Sequence, residues 1–199
     1  MPRLVSTTEL VGGARRIDGG KAFFGLFPLA WKSVEREVWK LETRQEYQES
    51  GNLSWELFSK GDLEGAMEAL ASFRQKDVPL YSSLAEKNVR FLRLRPVVLP
   101  LTSYLRWELG AYAFNEAHGE SIYFVERALE ANLFDSYAHH DFVLFDERLA
   151  LIHDYDFQGT IQGGWELNSR EGMLRLRELY QLLLDHAEPY REFLVKRGA

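Results

Sequence analysis

The chain has 199 residues, 46% hydrophobic and 14% aromatic, with a formal net charge of −6 and no cysteine. This length fits one globular core that buries roughly 70% of the surface its unfolded form exposes, and the apolar content excludes a disordered protein. The acidic balance weighs against nonspecific nucleic-acid binding, and the missing cysteines exclude disulfides, thiolate metal sites and a cysteine nucleophile.

Residues 1–21 set Gly12, Gly13, Gly19 and Gly20 among Arg15, Arg16, Asp18 and Lys21, the composition of a flexible lead-in. A single domain is expected over residues 22–199. The N-terminus lacks the apolar core of a signal peptide, and no run of about 18 apolar residues is present to span a bilayer. A cytoplasmic protein without a membrane partner is expected.

From Phe23 to Leu41 the residues Phe24, Phe27, Trp31, Val34, Val38 and Leu41 recur at helical spacing, which predicts an amphipathic helix interrupted near Pro28, with Trp31 and Val38 facing the core. Glu42–Tyr47 reads as a short extended piece. A helical turn over Asn52–Phe58 closes at Gly61, and Asp62 caps a helix to about Lys76. A break at Pro79 precedes a short helix ending before Asn88.

Residues 89–98 switch to a strand with Val89, Phe91, Arg93, Arg95 and Val97 on one face and Leu92, Leu94 and Val98 on the other. A helix follows to about Ala117, ended by His118-Gly119, and Ile122–Val125 is a further strand. Phe142–Phe145 and Leu149–Tyr155 form a hairpin, and the turn Asp156–Gly159 leads into Thr160–Leu167, completing a meander. Asn168-Ser169 opens a terminal helix that Pro189 kinks or restarts. Helices and a mixed, largely antiparallel sheet in separate blocks predict an α+β fold.

Charged residues lie inside these apolar runs, where each needs a partner. Tyr104, Glu108 and Asn115 share one side of their helix at spacings of four and seven, and Arg93 and Arg95 reach that side from the preceding strand. One reading is a cleft for an anionic or polar ligand, built from Arg93, Arg95, Tyr104, Arg106, Glu108, Asn115, Glu120 and Asp141. Glu108, Asp141 and Tyr104 are its catalytic candidates. The other reading is an internal ion-pair network tying helix to strand.

Asp141 and Asp146 point to opposite faces of a strand and form no carboxylate dyad. Asp146 is expected to cap the hairpin at Asp146-Glu147-Arg148, and Asp141 to pair with Arg93 or Arg106. His139, His140 and His153 with Asp141 and Asp154 lack the spacing of a metal motif, so neither a metal site nor a cofactor is expected. Gly19-Gly-Lys-Ala departs from a phosphate loop at Arg15 and Ala22, and no nucleophile elbow is present. The five tryptophans read as core residues. Arg90, Arg93, Arg95 and Arg106 are the one arginine cluster suited to nucleic acid, and Glu108 and Glu120 weaken that reading.

Several of these residues fall in one ordered pattern. Trp39, Leu41, Glu42 and Tyr47 come first, followed by Arg93, Pro100 and the helix motif Tyr104, Arg106, Trp107, Glu108. Asn115, Gly119-Glu120, Asp141-Phe142, Leu144-Phe145-Asp146 and Tyr155-Asp156 with Gly159 complete it. In this order, over roughly residues 24–195, the chain resembles the actinobacterial domain-of-unknown-function family 6879. Val143 stands where that family usually has Trp, which widens a pocket if the side chain lines the cleft, and the linker Phe134–His140 lacks the usual Leu-Pro. The resemblance implies a regulatory, toxin–antitoxin-like setting with a helix-turn-helix regulator as partner, and carries over no catalytic residue. The expectation is a noncatalytic regulatory or partner-binding protein. The alternative is an enzyme of specialised metabolism or nucleotide processing that holds an anionic small molecule through Arg93, Arg95 and Arg106.

Overall fold

Glu37-Val-Trp-Lys-Leu41 alternates side chains between two buried faces, Val38 with Lys40 on one and Trp39 with Leu41 on the other, and it forms a central strand. In the computed structural model, which describes residues 11–127 and 141–198, this strand (β2, Glu37–Leu41) lies in a sheet with β1 (Arg15–Asp18), β3 (Arg90–Val97), β4 (Glu120–Glu126), β5 (Phe142–Phe145), β6 (Leu149–Tyr155), β7 (Ile161–Leu167) and β8 (Glu188–Pro189). The spatial order is β1-β7-β6-β5-β2-β3-β4-β8. Strands β2, β3 and β4 run parallel to their neighbours in that group, and every other adjacent pair is antiparallel. The α+β class and the mixed, largely antiparallel sheet are as expected.

The helices are α1 (Gly20–Phe24), α2 (Phe27–Ser33), α3 (Leu53–Ser59), α4 (Leu63–Arg74), α5 (Val78–Glu86), α6 (Ser103–Ala117), α7 (Arg170–Leu184) and α8 (Tyr190–Arg197). Side chains of Asn52, Asp62, Thr102 and Ser169 accept from the backbone N–H groups of Trp55, Gly65, Leu105 and Gly172, fixing where α3, α4, α6 and α7 begin. Among the described residues no helix is long and apolar enough to cross a membrane.

Three local expectations are corrected. The helix expected to run through Leu41 ends at Ser33; the spacing of Val34, Val38 and Leu41 imitates a helix, but pairing on both edges with β3 and β5 makes Glu37–Leu41 a strand. Arg15–Asp18, inside the expected lead-in, pairs with β7, so backbone hydrogen bonds order a segment that its glycines suggested was loose. Pro79 falls in the first turn of α5 and starts that helix, because its missing N–H is one of the donors a helix end leaves unused.

The two faces of the sheet differ in chemistry. On one, Trp39, Leu41, Leu94, Phe142, Leu144 and Ile152 meet Met173, Leu176, Tyr180 and Leu183 of α7 in an apolar layer. On the other, an apolar cluster of Val38, Phe91, Phe145 and Leu151 with Phe23, Tyr81 and Leu84 lies toward one end. A second, of Val97, Ile122 and Phe124 with Leu105, Tyr112 and Phe193, lies toward the other. Each fully enclosed Leu or Phe contributes roughly 1.5–3 kcal/mol. Between these clusters the same face carries charge.

Candidate functional site

Strand alternation places the charged band. Lys40 on β2 is in register with Arg93 on β3 and Val143 on β5, and two residues along each chain the same face presents Glu42, Arg95 and Asp141. His153 joins them from β6, its N–H donating to the Asp141 carbonyl at 2.8 Å.

Two arginines of β3, Arg93 and Arg95, are enclosed and neutralised. Arg93 donates to Glu42 at 2.7 Å and, through Nε, to Glu120 at 2.5 Å. Arg95, with no exposed surface, donates to Glu108 at 3.1 Å and to the Tyr47 hydroxyl at 3.0 Å. Lys40 completes the set with a 2.7 Å bridge to Glu42. A guanidinium enclosed this completely is stable only because carboxylates surround it.

Asp141 has a different kind of support. Its Oδ1 accepts from the Thr43 N–H at 2.7 Å and the Thr43 hydroxyl at 2.9 Å, and its Oδ2 accepts from the Tyr47 hydroxyl. No ion-pair partner reaches it among the described residues. Glu49 is similar: Oε1 accepts from the Tyr104 hydroxyl and Oε2 from the Asn52 amide, each at 2.9 Å, and no cation pairs with it among the described residues.

A cavity of 350 Å³ opens over this band, walled by Lys40, Glu42, Glu49, Arg93, Glu108 and Asp141 and by the rings of Tyr47, Tyr104, Trp107 and Tyr155. The rings form a continuous run, with centroid separations of 5.3 Å for Tyr47–Tyr155, 5.7 Å for Tyr47–Tyr104 and 5.4 Å for Tyr104–Trp107. Trp107 is held by its indole N–H, which donates to Ser54 at 2.8 Å. The Asp156–Gly159 turn closes one side. Gly159 (φ 84°) lets this turn lie against the Tyr47 backbone, where a Cβ would sit 3.2 Å from Tyr47 Cα.

Burial and charge push the carboxyls apart. For Glu42, burial favours the neutral acid, but Arg93, Lys40 and Arg95 together hold the carboxyl well below its ordinary value. Glu108 is raised, chiefly by burial, with Arg95 opposing and the charge of Glu42 adding. Asp141 is raised by burial in spite of the Thr43 N–H and the Tyr47 hydroxyl. Tyr47 and Tyr104 are raised by burial and by neighbouring carboxylates, so both stay protonated donors.

Of the residues selected from sequence, Arg93, Tyr104, Glu108 and Asp141 wall the cavity. Arg95 lies beneath it, as does Glu120, which is tied to Arg93 and to the Tyr81 hydroxyl at 2.7 Å. Arg106 is corrected: it is exposed on the outer side of α6, with Nε donating to the Leu101 carbonyl, because position 106 falls away from the face shared by 104 and 108. Asn115 is buried deeper on α6, does not wall the cavity, and its side-chain amide makes no hydrogen bond among the described residues. Asp141 pairs with neither Arg93 nor Arg106, since Thr43 and Tyr47 occupy both its oxygens. The fork of Arg93, Arg95 and Arg106 expected to hold an anion is therefore not assembled. Nor is the arginine cluster a surface, with Arg93 and Arg95 buried and Arg90 bridged to Glu37.

Asp146 sits in the hairpin turn as expected, with Asp146 and Glu147 both in the left-handed region. Its carboxylate does more than cap that turn, accepting from the backbone N–H groups of Glu35, Arg36 and Glu37 at 2.7–2.9 Å and so fixing the entry to β2. His139, His140 and the Phe134–His140 linker lie outside the described residues. Among the described residues no group of three His, Asp or Glu is placed to hold a metal, and the His153 ring stacks on Tyr155. Sequence reasoning missed Lys40, Glu49, Arg74 and Tyr155 as cavity walls. Glu42 and Tyr47 carried a signal in the ordered pattern above but were given no role.

No curated protein matches the chain. Among solved structures it is similar to the archaeal chromatin protein TrmBL2, described as showing a novel mode of DNA binding, at 11% identity and a TM-score of 0.45. That match covers 92% of this chain and 59% of the neighbour, so the chain spans less than two thirds of the neighbour's length. A family model for a domain of unknown function, DUF6879, matches residues 27–195, and the chain belongs to that family.

Proposed function

We propose that the protein binds a small organic cation in the cavity and acts as a regulatory ligand-binding protein. The observation that carries this reading is the charge balance of the walls: each cation is matched by a carboxylate, whereas Glu49 and Asp141 have no ion-pair partner among the described residues and stand beside the rings of Tyr47, Tyr104 and Tyr155. An ammonium or guanidinium group gains roughly 0.5–2 kcal/mol on an aromatic face, and an uncompensated carboxylate adds to this in a desolvated site. A helix-turn-helix regulator as protein partner fits the resemblance drawn from the sequence. Native mass spectrometry of the protein isolated from its host tests the reading: a retained amine, guanidinium or quaternary ammonium compound supports it, and a retained phosphate ester or other anion counts against it.

A second reading, an enzyme, is favoured by one observation. Glu108 and Asp141 both wall the cavity and are both raised by burial, so either holds a proton above the ordinary carboxylate range and stands where it could serve a bound ligand as acid or base. Glu108→Gln would then retain the ligand and abolish its conversion. Equal turnover by the variant removes this reading.

A further inference from the structure

A second cavity of 230 Å³ adjoins the first. Phe24, Lys40, Arg74, Arg93 and His153 wall both spaces, so the two are neighbouring chambers over one sheet face. The chemistry changes across that boundary. The first chamber has tyrosine hydroxyls and carboxylates. The second is bounded by Phe27, Trp31, Leu80, Tyr81, Phe91 and Val143, with Asp77 as its one carboxylate among the described residues. Its cations are already satisfied: Lys40 by Glu42, Arg93 by Glu42 and Glu120, and Arg74 by Asp77 at 3.1 Å.

From this juxtaposition we infer that the second chamber is a subsite for the apolar part of the same ligand, which is therefore an aryl- or alkyl-substituted ammonium compound. This rests on the cation reading above and adds a substituent to it. The aromatic walls are preformed: Trp31 meets Phe145 edge-on at 4.9 Å and Phe91 at 5.4 Å, and Tyr81 stacks on Phe91 at 6.1 Å. Each chamber alone is near or below the low end of ligand-binding cavities, roughly 300–1,000 Å³, and the two joined fall within that range. Lys40 and Arg93 at the boundary are balanced by Glu42 and Glu120 together, so the four present no net charge and an apolar linker crosses there without stranding an ion.

The test compares two probes by isothermal titration calorimetry, tetramethylammonium for the head and (3-phenylpropyl)trimethylammonium for head and substituent. The wild type is expected to bind the phenyl compound on the order of tenfold more tightly, the gain coming from apolar burial. Val143→Phe fills the second chamber from β5, and Leu80→Trp fills it from the half-buried surface of α5, which keeps the test open if the strand variant does not fold. Either folded variant is expected to lose the tenfold advantage while binding tetramethylammonium as the wild type does. Tetramethylammonium binding with no phenyl advantage in the wild type, or an advantage that survives in the folded variants, overturns the second subsite and leaves the cation reading standing. Absence of binding by both probes overturns the cation reading, and the subsite with it.

Discussion

Tyr47 donates its hydroxyl hydrogen to Asp141, the residue that leads into β5. The same hydroxyl accepts from Arg95 Nη1 at 3.0 Å, so one tyrosine from the loop after β2 links the buried guanidinium of β3 to a carboxylate on the far side of the central strand. The cavity floor is thereby tied together from segments distant in the chain.

The burial of Asp141 fixes the sign of its effect on stability. Its carboxyl is raised in the folded state by desolvation, against the Thr43 N–H and the Tyr47 hydroxyl, while in the unfolded chain it stays at about 4. Below that pH both states hold the proton and the shift has no effect. As pH rises past it the unfolded state ionises first, and stability falls until the folded-state value has been passed. Relative to Asp141→Asn, the wild type should therefore lose stability as pH rises above about 4. Urea unfolding of both proteins at a series of pH values from there upward measures this; a difference that does not change with pH contradicts it. Glu42 has the opposite sign, since its lowered carboxyl stabilises above its ordinary value and that contribution is lost as pH falls.

Arg95 and Glu108 should behave as a unit. Replacing Arg95 by Met leaves Glu108 buried without its cation, and Glu108→Gln leaves Arg95 without its anion; each should cost about 3–5 kcal/mol. The double variant should cost clearly less than the two single losses combined, because neither charge is then stranded. Chemical denaturation of the three variants gives the coupling, and simple additivity would show that the pair is not an energetic unit.

Asp146→Ala removes the acceptor for three backbone N–H groups at the start of β2 and places Ala at a φ of 50°. With charged-group hydrogen bonds worth roughly 1.5–3 kcal/mol each, a loss of about 3 kcal/mol or more is expected, and Asp146→Asn should recover part of it because Asn tolerates left-handed backbone and keeps one acceptor. Thermal unfolding checks the ranking; an alanine variant as stable as the wild type contradicts it.

The parts of the fold legible in the sequence were those with local signals. Asp62 and Ser169 cap helices through bonds three residues away, the alternation of residues 89–98 announces β3, and Asp156–Gly159 marks the β6–β7 turn. Glu37–Leu41 was misread because Trp31, Val34, Val38 and Leu41 satisfy a helical period by coincidence, and only pairing with β3 and β5 distinguishes the two. The burial of Arg93, Glu108 and Asp141 among apolar residues was expected, but their partners were not. Whether Asp141 meets Arg93, Arg106 or Tyr47 depends on how the loop after β2 folds back across the sheet, and spacing along the chain holds no information about that. Arg93 and Arg95 form an internal network, and the cavity above it is walled by carboxylates and rings.

The most direct test is a fluorescence titration, since Trp107 walls the cavity, comparing tetramethylammonium with inorganic phosphate in the wild type, Glu49→Gln and Trp107→Phe. The expected result is a saturable change with the ammonium ion that weakens on the order of tenfold in Glu49→Gln, disappears as a signal in Trp107→Phe, and is not produced by phosphate. Saturable binding of phosphate with none of the cation would contradict a cation-binding cavity.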